Sequence, residues 1–190
     1  MVLRTFRPEG GGIPGDYSLA RRSGLLRMWP YRPTSLTFEI GQSGQQLVIP
    51  GKVLAHIAKH QQLDSRDTEA GGQLFGRILE QRITVELATG PRRTEVRARY
   101  AYVPDRRAEQ EEIDRYHLKG LLFLGDWHTH PEHLPIPSGQ DQRSIREAFN
   151  RSRHHLNGFL LVIAGTQKLP SGLYVAIHND REVLHLFPQK

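Results

Sequence analysis

The order of elements along this chain predicts an α/β fold, a curved, mixed but largely antiparallel sheet flanked by helices. Three observations carry that expectation. Short apolar runs of strand length outnumber helix-length segments, two of the earliest runs are joined by a hairpin-sized glycine turn, and 190 residues suit one domain with a real core better than two.

Residues 1–35 contain Gly10-Gly-Gly12, Pro14-Gly15 and three further prolines without sustained periodicity, so they are set apart as a basic N-terminal extension. The folded domain is expected over residues 36–190. Residues 36–40 and 47–49 flank Gly41-Gln-Ser-Gly44, which reads as a hairpin. Pro50 suits the first turn of a helix running to about Leu63, with Val53, Leu54, Ile57 and Ala58 on its apolar face. Strands are expected over residues 73–79, 82–88 and 96–103. The charged segment 105–119 favours a helix capped by Asp105, and Leu121-Leu-Phe-Leu124 begins a buried strand. A helix over 138–150 takes Ser138 as its N-cap, and strands over 159–164, 173–177 and 183–187 complete the domain.

The charge is unevenly placed. Arg4, Arg7, Arg21, Arg22, Arg27 and Arg32 against Glu9 and Asp16 put +4 of the net +6 in residues 1–35, leaving +2 on the domain. That describes a basic arm on an ordinary surface rather than a domain built on phosphate contacts, so nucleic acid is not the expected partner. No run of about 18 apolar residues marks a membrane span, and the N-terminus lacks the apolar centre of a signal peptide. The expectation is a cytoplasmic protein with no membrane partner. With no cysteine in the chain, a thiol nucleophile, disulfides and cysteine-ligated zinc are excluded.

The segment from Trp127 to Asp141 carries the chemistry. Residues i and i+2 of an extended strand share a face, so His128 and His130 can reach one ion from a strand end. Ser138 and Asp141, three apart in the first turn of a following helix, can both face that ion. Two imidazoles and a carboxylate are a common ligand set for a catalytic zinc, with the fourth tetrahedral position left for water. Taken singly, each residue reads as a strand or helix cap; the joint spacing favours the metal.

This pattern of His-x-His, seven residues, Ser, two residues and Asp resembles the JAMM motif, also called MPN-plus or JAB, of zinc isopeptidases and deubiquitinases. The resemblance spans residues 36–187. It implies the JAB/MPN-like, cytidine-deaminase-like sheet architecture, a bound Zn2+, and an upstream catalytic carboxylate, for which Glu69 in Thr68-Glu-Ala-Gly-Gly-Gln-Leu-Phe-Gly76 is the matching position. The usual His-Ser-His-Pro stands here as His-Thr-His-Pro, a change confined to the non-ligand Thr129. Gly125-Asp-Trp-His and Ala88-Thr-Gly-Pro91 are similar to the prokaryotic branch, and most of all to deconjugases encoded beside bacterial ubiquitin-like conjugation enzymes in antiphage defence islands. A ubiquitin-like protein or its conjugate is then the implied substrate, and conjugation enzymes the implied partners. Processing of a sulfur-carrier protein, and a DNA-associated role like that of the RadC group, are the alternatives.

Zinc lowers the pKa of water from ~15.7 toward ~7. The resemblance makes Glu69 the general base and then the acid for the leaving amine. Ser138, by its hydroxyl or its N–H, is placed to stabilise the oxyanion, a contribution of ~2.7–4 kcal/mol for such a donor. His56 and His60 have the spacing of a metalloprotease helix, but Ile57 stands where the base belongs, so they read as a solvent-facing pair. His133 stays unassigned, and Trp127 suits a groove wall or a core position equally. Segment 105–119 stands where relatives carry a substrate-binding insertion, although its residues also read as a plain amphipathic helix. Arg143, Arg146, Arg151 and Arg153 read as a solvated basic helix face. Gly71-Gly72 on one side and Pro131, Pro135 and Pro137 on the other suggest a shallow groove for an extended peptide.

Overall fold

The structure, a computed structural model, describes residues 33–189, so the basic arm expected over 1–35 lies almost entirely outside the described residues. Strands β1 (Leu36–Glu39) and β2 (Gln46–Ile49) pair antiparallel across the expected hairpin, whose turn has Gly41 and Gly44 at φ of 53° and 71°. Helix α1 (Gly51–Ala58) follows Pro50 and buries Val53, Leu54 and Ile57, but it stops well short of Leu63. Tertiary bonds end it. Gln61 and Gln62 turn inward, and their amides donate to the carbonyls of Gly165 (2.6 Å) and Arg99 (2.9 Å). His56 and His60 are not the solvent-facing pair expected. His56 Nε2 lies 2.9 Å from the Gly90 carbonyl, and both rings pack on Trp127 at 5.5 and 5.8 Å between centroids.

Strands β3 (Gly71–Leu79) and β4 (Arg82–Ala88) form where alternation foretold them. The single strand expected over 96–103 is instead two, β5 (Val96–Ala98) and β6 (Ala101–Val103), paired in a separate two-stranded sheet. Its turn is pinned by Arg99, which donates to the carbonyls of Asp64 (3.2 Å) and Ser65 (2.7 Å), contacts between segments far apart in sequence. Helix α2 (Arg106–His117) is capped by Asp105, whose carboxylate accepts from Ala108 N–H at 3.1 Å. Then come β7 (Leu122–Thr129), α3 (Gly139–Arg151), β8 (Phe159–Ala164), β9 (Leu173–His178) and β10 (Val183–His185).

Eight strands form one sheet in the order β1-β2-β4-β3-β7-β8-β9-β10, with β2/β4 and β7/β8 parallel and every other pair antiparallel. A bridge between Phe38 and Pro188, and a 2.8 Å bond from Gln189 N–H to the Thr37 carbonyl, tie β1 to the chain after β10. The sheet is therefore curled, as expected. Strand β8 is buried on both faces: Leu160, Val162 and Ala164 join the core that holds α1, while Phe159, Leu161 and Ile163 pack with Ile145 of α3. Each fully buried leucine, valine or phenylalanine there contributes about 1.5–3 kcal/mol.

Helix α2 departs from an amphipathic seat, since its single buried residue is Glu109. Tyr116 packs on Phe75 of β3 at 4.6 Å between centroids, and Arg92 holds the helix as well, bonding Glu112 of α2, Glu95 (2.7 Å) and Gln73 of β3 (3.2 Å) in a cluster mostly shielded from water. The basic residues Arg143, Arg146, Arg151 and Arg153 are exposed, in keeping with a solvated face. Among the described residues no helix is long and apolar enough to cross a membrane.

Strand β7 lies between the two layers, and Gly125 lets it do so. Its φ is 142°, and a Cβ there would stand 2.0 Å from the Leu160 carbonyl oxygen of β8. Gly125→Ala is therefore expected to lower unfolding free energy by at least about 2 kcal/mol, read from a urea titration against the parent protein.

Candidate metal centre

Along β7 successive side chains alternate between layers. Trp127 and Thr129 point into the α1 core, where both are fully buried, and His128 and His130 point to the α3 side. That settles Trp127 as a core residue, with its Nε1 donating to the Thr89 carbonyl at 2.8 Å. The expected ligands converge. His128 Nε2 and His130 Nε2 are 3.1 Å apart, and the two oxygens of Asp141 lie 3.4 Å from one and the other. Ligands held at about 2.0–2.2 Å from a tetrahedral ion stand roughly 3.3–3.6 Å from each other, so this spacing suits a metal such as zinc.

Asp141 reaches the imidazoles because α3 starts where it does. Ser138 and Asp141 form a capping box: Asp141 N–H donates to Ser138 Oγ (3.2 Å), and Ser138 N–H donates to Asp141 Oδ2 (2.6 Å). The box fixes the carboxylate's rotamer. It also commits the Ser138 N–H, leaving the hydroxyl proton as the donor that Ser138 can offer to the cavity. On the other side, His130 Nδ1 faces the Glu132 carboxylate at 3.4 Å, which favours the tautomer with Nε2 free to bind metal. His133 is not part of this cluster; it is exposed, 3.4 Å from Thr166 Oγ1.

Glu69 is brought in by β-pairing. Gly71 of β3 stands opposite His128, and Thr129 N–H donates to the Ala70 carbonyl at 2.8 Å, so Glu69, two residues before Gly71, comes level with His130. It is buried and lines one cavity of about 220 Å3 with His128, His130, Ser138 and Asp141. Burial pushes the Glu69 carboxyl up to about 7, with His130 opposing and Asp141 and Glu132 adding to the rise. Burial acts to raise Asp141 too, but its bonds to His128, His130 and Ser138 prevail and hold it well below the usual carboxylate range. For His130, burial acts to lower the imidazole, and Asp141 outweighs it to leave a net rise.

Gly72 borders the cavity, and the Gly71-Gly72 pair also serves packing. A Cβ on Gly71 would lie 2.6 Å from the Tyr102 ring, and one on Gly72 2.0 Å from the Thr89 carbonyl, so both glycines permit close packing within this chain. Two further groups were not singled out by spacing. Asp126, on the same face as His128, lines the cavity, and burial with Glu109 nearby raises its carboxyl. Thr129, between the two histidines, accepts from Ala70 N–H (3.0 Å) and donates to Gln62 Oε1 (3.2 Å). The motif held a clue to it, since serine and threonine at that position share a hydroxyl.

A curled sheet presenting two histidines and an aspartate beside a buried glutamate defines the class, a metal-dependent hydrolase. Residues 50–177 match the family model for prokaryotic homologs of the JAB domain, and the chain belongs to that family. It is a metalloprotease. A CD-NTase/cGAS isopeptidase of Vibrio cholerae is 30% identical over 146 residues, which cover 74% of this chain and 86% of that protein. A probable metalloprotease of Sinorhizobium fredii is 37% identical over 86 residues, 42% of this chain and 52% of its own length. The solution structure of a protein from Desulfitobacterium hafniense shares the fold, with a TM-score of 0.50 and 18% identity over 72% of this chain and 87% of that one.

Replacing Thr129 by valine keeps the volume but strands the Ala70 N–H and the Gln62 Oε1. The expected cost is about 1–3 kcal/mol of unfolding free energy, measured by chemical denaturation of the metal-free protein.

Proposed function

We propose that this protein is a zinc-dependent isopeptidase that cleaves the bond after the C-terminus of a ubiquitin-like or similarly conjugated protein, within a bacterial defence conjugation system. The observation that carries the reading is the convergence of His128 Nε2, His130 Nε2 and Asp141 at 3.1–3.4 Å in the cavity that Glu69 lines. The name of the Vibrio cholerae relative, an isopeptidase, supports a conjugated protein as substrate. Nitrogen and oxygen donors without cysteine suit catalytic rather than structural zinc. When bound, zinc supplies a Lewis acid that makes water a nucleophile at neutral pH and polarises the scissile carbonyl.

The chain's own groups carry the protons. Glu69, with its carboxyl raised to about 7, accepts the proton of the attacking water and returns it to the departing amine nitrogen. Ser138 directs its hydroxyl proton to the oxygen that gains charge in the tetrahedral intermediate. Asp141 holds its position through the box with Ser138, and Glu132 keeps the His130 ring oriented. Tyr100 and Ala101 at the end of the β5–β6 hairpin border the cavity, which shares Arg106, Glu109, Asp126 and Ser144 with a broader groove of about 1060 Å3 between α2 and α3. An extended C-terminal tail fits such a groove.

The purified protein should hold close to one zinc per chain by elemental analysis, and His130→Ala should lose most of it. Glu69→Gln should keep the zinc and lose turnover; zinc and activity falling together would make Glu69 a ligand instead. The substrate is tested with the ubiquitin-like protein encoded nearest the gene, supplied as a C-terminal fusion and followed by mass spectrometry. Release that phenanthroline stops and thiol alkylation leaves alone is the expected outcome. Intact fusion with zinc-loaded enzyme, alongside tight salt-dependent DNA binding, would instead favour a nucleic-acid role.

A further inference from the structure

Glu69 stands in a segment, residues 64–70, that belongs to no helix or strand, yet a base must be held within hydrogen-bond reach of its proton. Its side-chain direction depends on two peptide planes, the one before and the one after its Cα, which set φ and ψ. All four polar groups of those planes are bonded. In the first plane, the Thr68 carbonyl accepts from Arg97 Nη2 (3.5 Å) and Glu69 N–H donates to the Ala98 carbonyl (2.8 Å). In the second, the Glu69 carbonyl accepts from Arg97 Nε and Ala70 N–H donates to Thr129 Oγ1 (3.0 Å).

Among the described residues Arg97 is thus the one side chain that grips both planes. It is half-buried on β5, and its bonds run to backbone carbonyls rather than to a carboxylate, an arrangement that its rigid planar fork allows and that a lysine ammonium cannot reproduce in full.

The geometry points to Arg97 as a positioning residue that holds Glu69 in its working orientation by clamping the two peptide planes around it, tying the base to the β5–β6 hairpin. The inference rests on the role proposed above for Glu69. Displacement of a reacting group by about 1 Å costs on the order of 100-fold in rate, and loss of an interaction that matters only in the transition state lowers kcat without raising KM.

Arg97→Met and Arg97→Lys are compared with the parent protein and with Glu69→Gln, all zinc-loaded, on the same C-terminal fusion. Arg97→Met should lower kcat by about 10- to 100-fold with KM within about twofold, Arg97→Lys should recover part of the loss, and zinc content should match the parent. Amide hydrogen exchange of residues 66–72 gives a readout free of activity: Arg97→Met should speed exchange there by about tenfold or more while β8 is unchanged. Unchanged exchange in that segment overturns the inference, as does a kcat within twofold of the parent, or a rise in KM alone. If the fusion is not cleaved even by the parent, the proposed function fails and exchange still decides Arg97. If Glu69→Gln retains turnover, the role of Glu69 fails separately.

Discussion

The antiparallel pairing of β3 with β7 is the constraint on which the centre depends. It sets Gly71 against His128, and the Thr129 bonds to Ala70 carry the alignment past the end of β3, so that Glu69 arrives level with His130. A slip of one residue would turn the histidines into the α1 core and Thr129 out to the cavity. The pairing is protected from both sides. Gly71 and Gly72 let Tyr102 and the Thr89 backbone close on β3, and Gly125 lets β8 close on β7. The least ornamented residues in the chain are the ones that make the close approach possible.

The same geometry concentrates ionisable groups in little water. Glu69 and Asp141 respond to burial in opposite ways because their partners differ: Asp141 has two imidazoles and the Ser138 amide, whereas Glu69 meets mainly a poorly solvated cavity wall. Two carboxyl groups in one cavity thereby acquire different protonation behaviour, the separation expected where one group holds charge and the other moves a proton. A second buried charge cluster, around Arg92, helps to seat α2 beside the centre, together with the packing of Tyr116 on Phe75. That cluster and the Arg97 contacts hold the β5–β6–α2 segment against the cavity that it helps to line.

Much of the fold was legible in the sequence. Strands 82–88 and 159–164 stand where they were expected because β-branched and apolar runs with period two, or buried on both faces, have no competing reading. The caps Asp105 and Ser138 were equally plain, since the backbone N–H groups they accept from lie only three residues away. Failures came where distant contacts overrode local preference. The helix from Pro50 ends early because Gln61 and Gln62 are drawn to carbonyls elsewhere, the 96–103 segment folds into a hairpin around the Arg99 contacts, and α2 uses a partly polar seat.

By itself the sequence determined how the candidate residues group: two histidines on one face of a strand, and a serine and an aspartate in a helix's first turn. Those relations are local, set by the 2.0 and 3.6 residue periods of the backbone. Only the tertiary structure decided that the two groups meet at 3.1–3.4 Å, that Trp127 belongs to the core, and that the backbone at Glu69 and Ala70 is bonded by Arg97 and Thr129. Residues 59 and 28 positions apart form those last two bonds, and no spacing pattern along a chain encodes contacts that depend on how sheet and hairpin close upon each other.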